Sequence, residues 1–290
     1  MSTRIQRKPQ NIANAIRMKR SQNSKMFLIL EGRTDERIFD NFINKEKCKI
    51  ELTYGKNNLL QVIENLNNSS FSGFLGIIDA DEWYLTGKKP NIQNLLITEY
   101  HDIECIILSS DLFRRFIKEY ALNSKLKKFH PNIYEKLLES ALPLGYLRGF
   151  SITDDLNLNF DNCYILREFE KLINTTTLDV DIISLIDVIE TWSPSPTIND
   201  KKKLANKILI HIKEKRLNPL LICHGFDIIC ILVVGLVNIF GNDLRGKRVN
   251  PQGVDGTLRL SYTFSDFQTS QLYQEIKKWE TQNTLFKVLS

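Results

Sequence analysis

Two short apolar runs, each cut off by acidic residues, constrain this chain more than any other feature. Met26-Phe27-Leu28-Ile29-Leu30 stops at Glu31-Gly32-Arg33-Thr34-Asp35, and Phe74-Leu75-Gly76-Ile77-Ile78 stops at Asp79-Ala80-Asp81-Glu82. A short continuous apolar run suits a strand covered on both faces, which is the strand of a parallel sheet. Segments of helical period separate such runs: Ile38, Phe39, Phe42 and Ile43 in one, Leu59, Leu60, Val62, Ile63 and Leu66 in the next. With Lys49–Thr53 and Asn94–Thr98 as further strands, the alternation is βαβ and the fold class expected is α/β.

In open α/β sheets the site lies outside the carboxyl ends of the strands, so Glu31, Asp79 and Asp81 are expected on one rim. Carboxylates gathered a few ångströms apart need a counter-charge, and an all-oxygen set suits a hard divalent ion such as Mg²⁺ or Mn²⁺. Lys56, after the second strand, is expected on the same rim, where its ammonium would neutralise a phosphate oxygen. Glu99-Tyr100-His101-Asp102-Ile103-Glu104 follows the fourth strand and brings more acids toward that rim; His101 is given no catalytic role.

Beyond residue 110 the pattern is mostly helical, with segments near 111–120, 132–141, 164–173, 179–192, 198–216, 222–240 and 268–280. Breaks are expected at Pro143-Leu144-Gly145, Thr153–Asn162, Ser193-Pro194-Ser195-Pro196 and Gly241–Gly256. Three regions result: a basic arm over 1–25, a sheet domain over 26–110, and a helical region over 111–290. Seven of the 39 Lys and Arg, and none of the 34 Asp and Glu, fall in the arm, which therefore carries all of the positive excess. It is expected either to bind phosphates or an acidic surface, or to be a solvated leader.

The five cysteines, Cys48, Cys105, Cys163, Cys223 and Cys230, are scattered and form no C-x-x-C pair, which argues against a disulfide framework or a zinc site and for a cytoplasmic setting. The longest apolar stretch, Ile228–Phe240, is shorter than the roughly 20 residues that span a bilayer and is read as a buried helix, so no membrane is expected. No Gly-rich phosphate loop of the G-x-x-x-x-G-K-[ST] kind is present.

The E-G-x-x-D of Glu31–Asp35 and the D-x-D of Asp79–Asp81 resemble the motifs of the Toprim domain, shared by topoisomerases, bacterial primases and overcoming-lysogenization-defect nucleases. The resemblance covers about residues 26 to 108. It implies metal-dependent chemistry on phosphodiester bonds, with Glu31 as general base or metal-held carboxylate, Asp79 and Asp81 as ligands, and Asp35 in support. Glu104 resembles the additional acid that supports a second ion in the last of these families, with Asp102 as an alternative.

Cys223-His224-Gly225-Phe226-Asp227 is similar to a Gly-His-Asp element of a Toprim-containing family linked to ABC-type ATPases, with Phe226 where that family usually has histidine. Ser261–Glu280 is similar to that family's closing helix. Together these resemble the AriB-type Toprim nucleases of the PARIS anti-phage system. The resemblance implies a toxic effector held by an AriA-like ABC-type ATPase, released, assembled as a homodimer and cutting host tRNA. Basic groups fit a nucleic-acid substrate, above all Arg245, Lys247 and Arg248 in a glycine-flanked loop. Two other readings stay open: a Toprim nuclease that nicks or cuts DNA, and a noncatalytic subunit of an ATPase complex.

Overall fold

A computed structural model describes residues 8–129, 132–160, 171–214, 217–243, 245–246 and 248–290. The chain forms two compact units that interleave along the sequence. One holds Met1–Asp79, Pro90–Glu99 and Tyr262–Ser290, and the other holds Ala80–Lys89 and Tyr100–Ser261.

The first unit is an α/β fold around a four-stranded parallel sheet of order β2-β1-β3-β4, with β1 Met26–Leu30, β2 Cys48–Leu52, β3 Phe74–Ile78 and β4 Leu95–Ile97. The two uninterrupted apolar runs take the central places, and every residue of β1 and β3 is buried. The edge strands β2 and β4 keep partly exposed positions, which is why their sequences mix polar with apolar residues. Helix α2 (Arg33–Phe39) lies between β1 and β2 in the chain, and α3 (Lys56–Asn68) between β2 and β3.

The arm is not a free leader over the residues described. Pro9–Arg20 forms helix α1, which starts on a proline and buries Ile12, Ala13 and Ile16 against α3. Its cations serve the first unit itself. Arg17 donates to Asn65 O at 2.6 Å, Lys19 pairs with Glu51, and Arg20 donates to Gly73 O at 2.8 Å with its guanidinium over the rings of Phe27, Phe71 and Phe286. Arg4 and Arg7 lie outside the described residues.

The C-terminal segment completes this unit. Glu99, next after the β4 region, accepts the N–H groups of Gln271 and Leu272, both at 2.9 Å, at the start of the Gln271–Gln282 helix. Trp279 on that helix donates to Asn94 Oδ1 at 3.0 Å, and Phe42 stacks on Phe267 with ring centroids 4.8 Å apart.

In the second unit the described elements are all helical: α4 (Trp83–Thr86), α5 (Ile103–Ser109), α6 (Asp111–Tyr120), α7 (Asn123–Phe129), α8 (Ile133–Thr153) and the helices Ile182–Trp192, Lys201–Glu214, Gly225–Gly235 and Pro251–Ser261. The apolar stretch expected as a core helix is one: each residue from Asp227 to Gly235 is buried, and a π-helical turn, Leu236–Phe240, continues it. α8 runs through Pro143, where a break was expected. Gly145, one turn of the same helix, lets the backbone of Ile222 approach so closely that a Cβ there would stand 2.8 Å from its carbonyl oxygen. Neighbouring packing therefore outweighs the missing proline N–H.

Gly241–Gly256 was expected to be irregular throughout, yet a helix begins at Pro251. The segment after β4 divides at Ser110, whose hydroxyl accepts the Leu112 N–H and starts α6. Cys163 and most of the helix expected at 164–173 lie outside the described residues. Among the described residues no helix is long and apolar enough to cross a membrane.

Candidate active site

The strand register of the first unit brings its two expected acids to one edge. Ile29 of β1 stands opposite Gly76 of β3, so each strand ends on the same rim and Glu31 and Asp79 leave neighbouring strands one residue out of step. Adjacent strands lie about 4.8 Å apart, a spacing that one hydrated cation bridges. Both residues are half-buried.

Lys56 joins them. As the first residue of α3 it sits at the end of β2, and its ammonium donates to the backbone carbonyl of Asp79 at 3.0 Å. Because β1 lies between β2 and β3, the lysine stem crosses the end of the Glu31 strand to make that bond. Asp35 turns inward to its own helix: its Oδ2 accepts the Gly32 N–H at 3.0 Å, closing the turn that carries Glu31 into α2. Gly32 is thus the cap of α2, and Arg33 its first residue.

Asp81 and Glu104 belong to the second unit. Asp81 adopts a left-handed φ of 45° and donates its N–H to His101 O at 2.8 Å. Glu104 lies at the start of α5 beside Arg259, whose guanidinium is 3.6 Å away and also pairs with Asp255. Burial, with Asp102 and Asp255 adding repulsion, pushes the Glu104 carboxyl up to about 8. Burial likewise raises Asp255.

Asp102 behaves in the opposite way. Burial opposes its ionisation, but His224, His101 and the Gly225 N–H outweigh burial and hold the carboxyl well below the usual range. Its Oδ1 accepts the Cys105 N–H at 2.9 Å, its Oδ2 accepts the Gly225 N–H at 2.8 Å, and His101 Nδ1 lies 3.1 Å from Oδ2. The His101 ring is itself buried, and the charges of Asp102, Asp81 and Glu82 raise its pKa against the opposing effect of burial.

His101, Asp102 and Gly225 were not singled out together by the sequence. The only signals were the His101-Asp102 pair after β4 and the lone glycine after His224. Asp227, in the first turn of the Gly225–Gly235 helix, forms a buried ion pair with Arg148 at 3.1 Å. In the basic loop Arg245 pairs with Glu119, and Asn242 Oδ1 accepts the N–H groups of Arg245 and Gly246. Arg248 is exposed, with its N–H on Arg245 O; Lys247 lies outside the described residues.

Among the described residues no three His, Cys, Asp or Glu side chains form a group that could hold a metal ion. Mg²⁺, however, is commonly held by one or two carboxylates, with water and substrate phosphate supplying the rest. Glu31 and Asp79, oxygen donors at the ends of neighbouring strands, fit that mode. No protein-family model matches this chain, and a search of curated proteins likewise gives no match.

Proposed function

We propose that this protein is a metal-dependent endonuclease whose reaction centre lies at the ends of β1 and β3. The observation that carries the reading is the pairing of register and charge in the first unit: Glu31 and Asp79 leave adjacent parallel strands, with the Lys56 ammonium fixed on Asp79 O at 3.0 Å. A carboxylate pair beside an ammonium, at the carboxyl edge of a parallel sheet, suits a phosphodiester better than an uncharged substrate.

In this reading Glu31 and Asp79 hold Mg²⁺ or Mn²⁺, and Asp81 completes the D-x-D pair of ligands along the chain. When bound, the ion supplies Lewis-acid stabilisation of the phosphoryl oxygens. Glu31 would accept the proton of the attacking water as its oxygen bonds to phosphorus, while the bridging P–O bond breaks and the departing oxygen takes a proton from solvent. Lys56 offers an N–H to a non-bridging oxygen, where negative charge grows in the transition state. Asp35 keeps the Glu31 turn in place through Gly32. Glu104 is assigned to a second ion, a role that requires loss of the proton its burial favours.

The substrate proposed is RNA, tRNA in particular, and the biological role is that of a toxic anti-phage effector. An ABC-type ATPase restrains it, and the released form acts as a homodimer. Arg245, Lys247 and Arg248 are assigned to the nucleic-acid backbone. These assignments are supported by the resemblance of the acidic motifs and of the Cys223–Asp227 segment.

The test is cleavage of tRNA and of supercoiled DNA by the purified full chain with Mg²⁺ or Mn²⁺, beside Glu31→Gln. Sequencing total RNA from cells that express each form locates the cut. Metal-dependent tRNA cleavage lost in Glu31→Gln is the expected result, and cleavage of DNA alone replaces the substrate. If neither nucleic acid is cut and toxicity is the same with Glu31→Gln, the protein is not a nuclease.

A further inference from the structure

Asp81 is held from behind by a series of contacts that ends at the Gly225–Gly235 helix. Its φ of 45° is a left-handed conformation, which a residue other than glycine keeps only where its surroundings impose it. One contact of those surroundings is the bond from its N–H to His101 O at 2.8 Å. His101 is fixed on two sides: its own N–H donates to Leu220 O at 2.8 Å, and its ring meets Asp102 Oδ2 at 3.1 Å.

Asp102 is the joint of this assembly. One carboxylate caps α5 through the Cys105 N–H, receives the first N–H of the Gly225–Gly235 helix, and orients His101. An ionised carboxylate only accepts hydrogen bonds, so the ring hydrogen of His101 sits on Nδ1. The opposite nitrogen, Nε2, is buried without a hydrogen-bond partner among the described residues, and the His224 ring stands edge-on to the imidazole with centroids 5.4 Å apart.

Gly225 is what allows the carboxylate so close. A Cβ at this position would stand 2.5 Å from Glu104 Cβ, 2.6 Å from Asp102 Oδ1 and 2.8 Å from Cys105 N. Two of these three atoms belong to Asp102 and to the amide it caps. A side chain here therefore forces a shift in this group, and a displaced carboxylate takes with it the partner of His101, whose carbonyl binds Asp81.

We infer that Asp102 and Gly225 are positioning residues for Asp81: acting through His101, they set where that carboxylate stands and so how tightly the chain holds a divalent ion. The inference rests on the metal reading above. In that reading neither residue is a ligand of the ion or a contact of the substrate. Both act as the partners behind a ligand do in metal sites generally, where losing such a partner typically weakens binding or activity about 10–100-fold.

The test uses Mn²⁺ alone with the purified full chain, binding being followed by electron paramagnetic resonance of the free ion, and folding by cooperative thermal unfolding. Asp102→Asn places an amide N–H against the donors of Gly225 and His101, and Gly225→Ala displaces the carboxylate sterically. Each is expected to raise the Mn²⁺ dissociation constant about 10–100-fold while still unfolding cooperatively. His101→Ala is expected to weaken binding as well, and His101→Asn to restore it, because the Asn amide nitrogen falls where Nδ1 was.

Unchanged Mn²⁺ affinity in any folded member of Asp102→Asn, Gly225→Ala or His101→Ala overturns the inference. Equal weakening by His101→Ala and His101→Asn overturns it too. The two readings separate cleanly. A wild type that binds no Mn²⁺, or an Asp81→Asn that binds as the wild type does, removes the metal site itself. Weakening by Asp81→Asn together with wild-type binding by Asp102→Asn and Gly225→Ala removes only the positioning role.

Discussion

The ammonium of Lys56 is bonded to the backbone carbonyl of Asp79 at 3.0 Å, linking the first residue of α3 to the residue that follows β3. The bond holds a cation against the rim from which Glu31 also emerges, and it orients the turn that carries Asp79. A hydrogen bond made by a charged group is worth about 1.5–3 kcal/mol. Lys56→Met keeps the stem and removes the charge, so for the nuclease reaction proposed above the cleavage rate constant is expected to fall about 10–100-fold, in line with about 1.36 kcal/mol per tenfold. Single-turnover kinetics at saturating Mg²⁺ check this, and a wild-type rate would show that the lysine is only structural.

The cations of α1 are spent on the protein's own surface. Arg17 and Arg20 reach the backbone carbonyls of Asn65 and Gly73, and Ile12, Ala13 and Ile16 are buried. Removing residues 1–20 should therefore expose apolar surface of α3 and lower the melting temperature by about 5 °C or more, since each 1 kcal/mol is worth roughly 2–4 °C in a chain of this size. Calorimetry of the truncated chain decides it. A truncation that melts with the wild type but loses salt-dependent RNA binding would make α1 a nucleic-acid arm after all.

Glu99 gives the first unit a signed pH dependence. Burial raises its carboxyl above the ordinary 4.5, more than the N–H groups of Gln271 and Leu272 lower it. A raised carboxyl contributes stability in full below its unfolded value and loses that contribution as pH rises through its folded value. Stability from this group is thus expected to fall as pH is increased from about 4.5 upward. Urea titrations across that range should show a shallower pH dependence in Glu99→Gln than in the wild type; parallel curves would contradict the assignment.

Four thiols are closed to reagents. Cys48, Cys105, Cys223 and Cys230 are buried, and burial pushes Cys48 up to about 12 and the other three well above their ordinary value. The thiolate is the reactive form, so at pH 8 all four should resist iodoacetamide in the native protein and react once it is unfolded. Peptide mapping by mass spectrometry reads this residue by residue. Rapid native labelling at Cys105 or Cys223 would mean that the packing around Asp102 opens readily.

Much of the first unit was legible because both faces of β1 and β3 are covered. That demand writes itself into consecutive residues as two apolar runs, and the acids where the runs stop mark the rim. The docking of α1 was not legible, since three small or branched apolar residues among seven cations look like a solvated leader until α3 is there to cover them. Pro143 misled for a related reason. A proline reads as a break, but burial of α8 from Leu137 to Phe150 holds the helix through it.

The chain's own order was enough to settle the strands, their α/β alternation and the acids at their ends, because those depend on neighbours within a few residues. Tertiary structure alone decided that Lys56 crosses to Asp79, that Glu99 starts a helix 172 positions later, and that Asp102 accepts the N–H of Gly225 at a separation of 123 residues. Contacts of that kind depend on which backbone groups a fold leaves unpaired at its helix and strand ends. A local pattern carries no record of those groups.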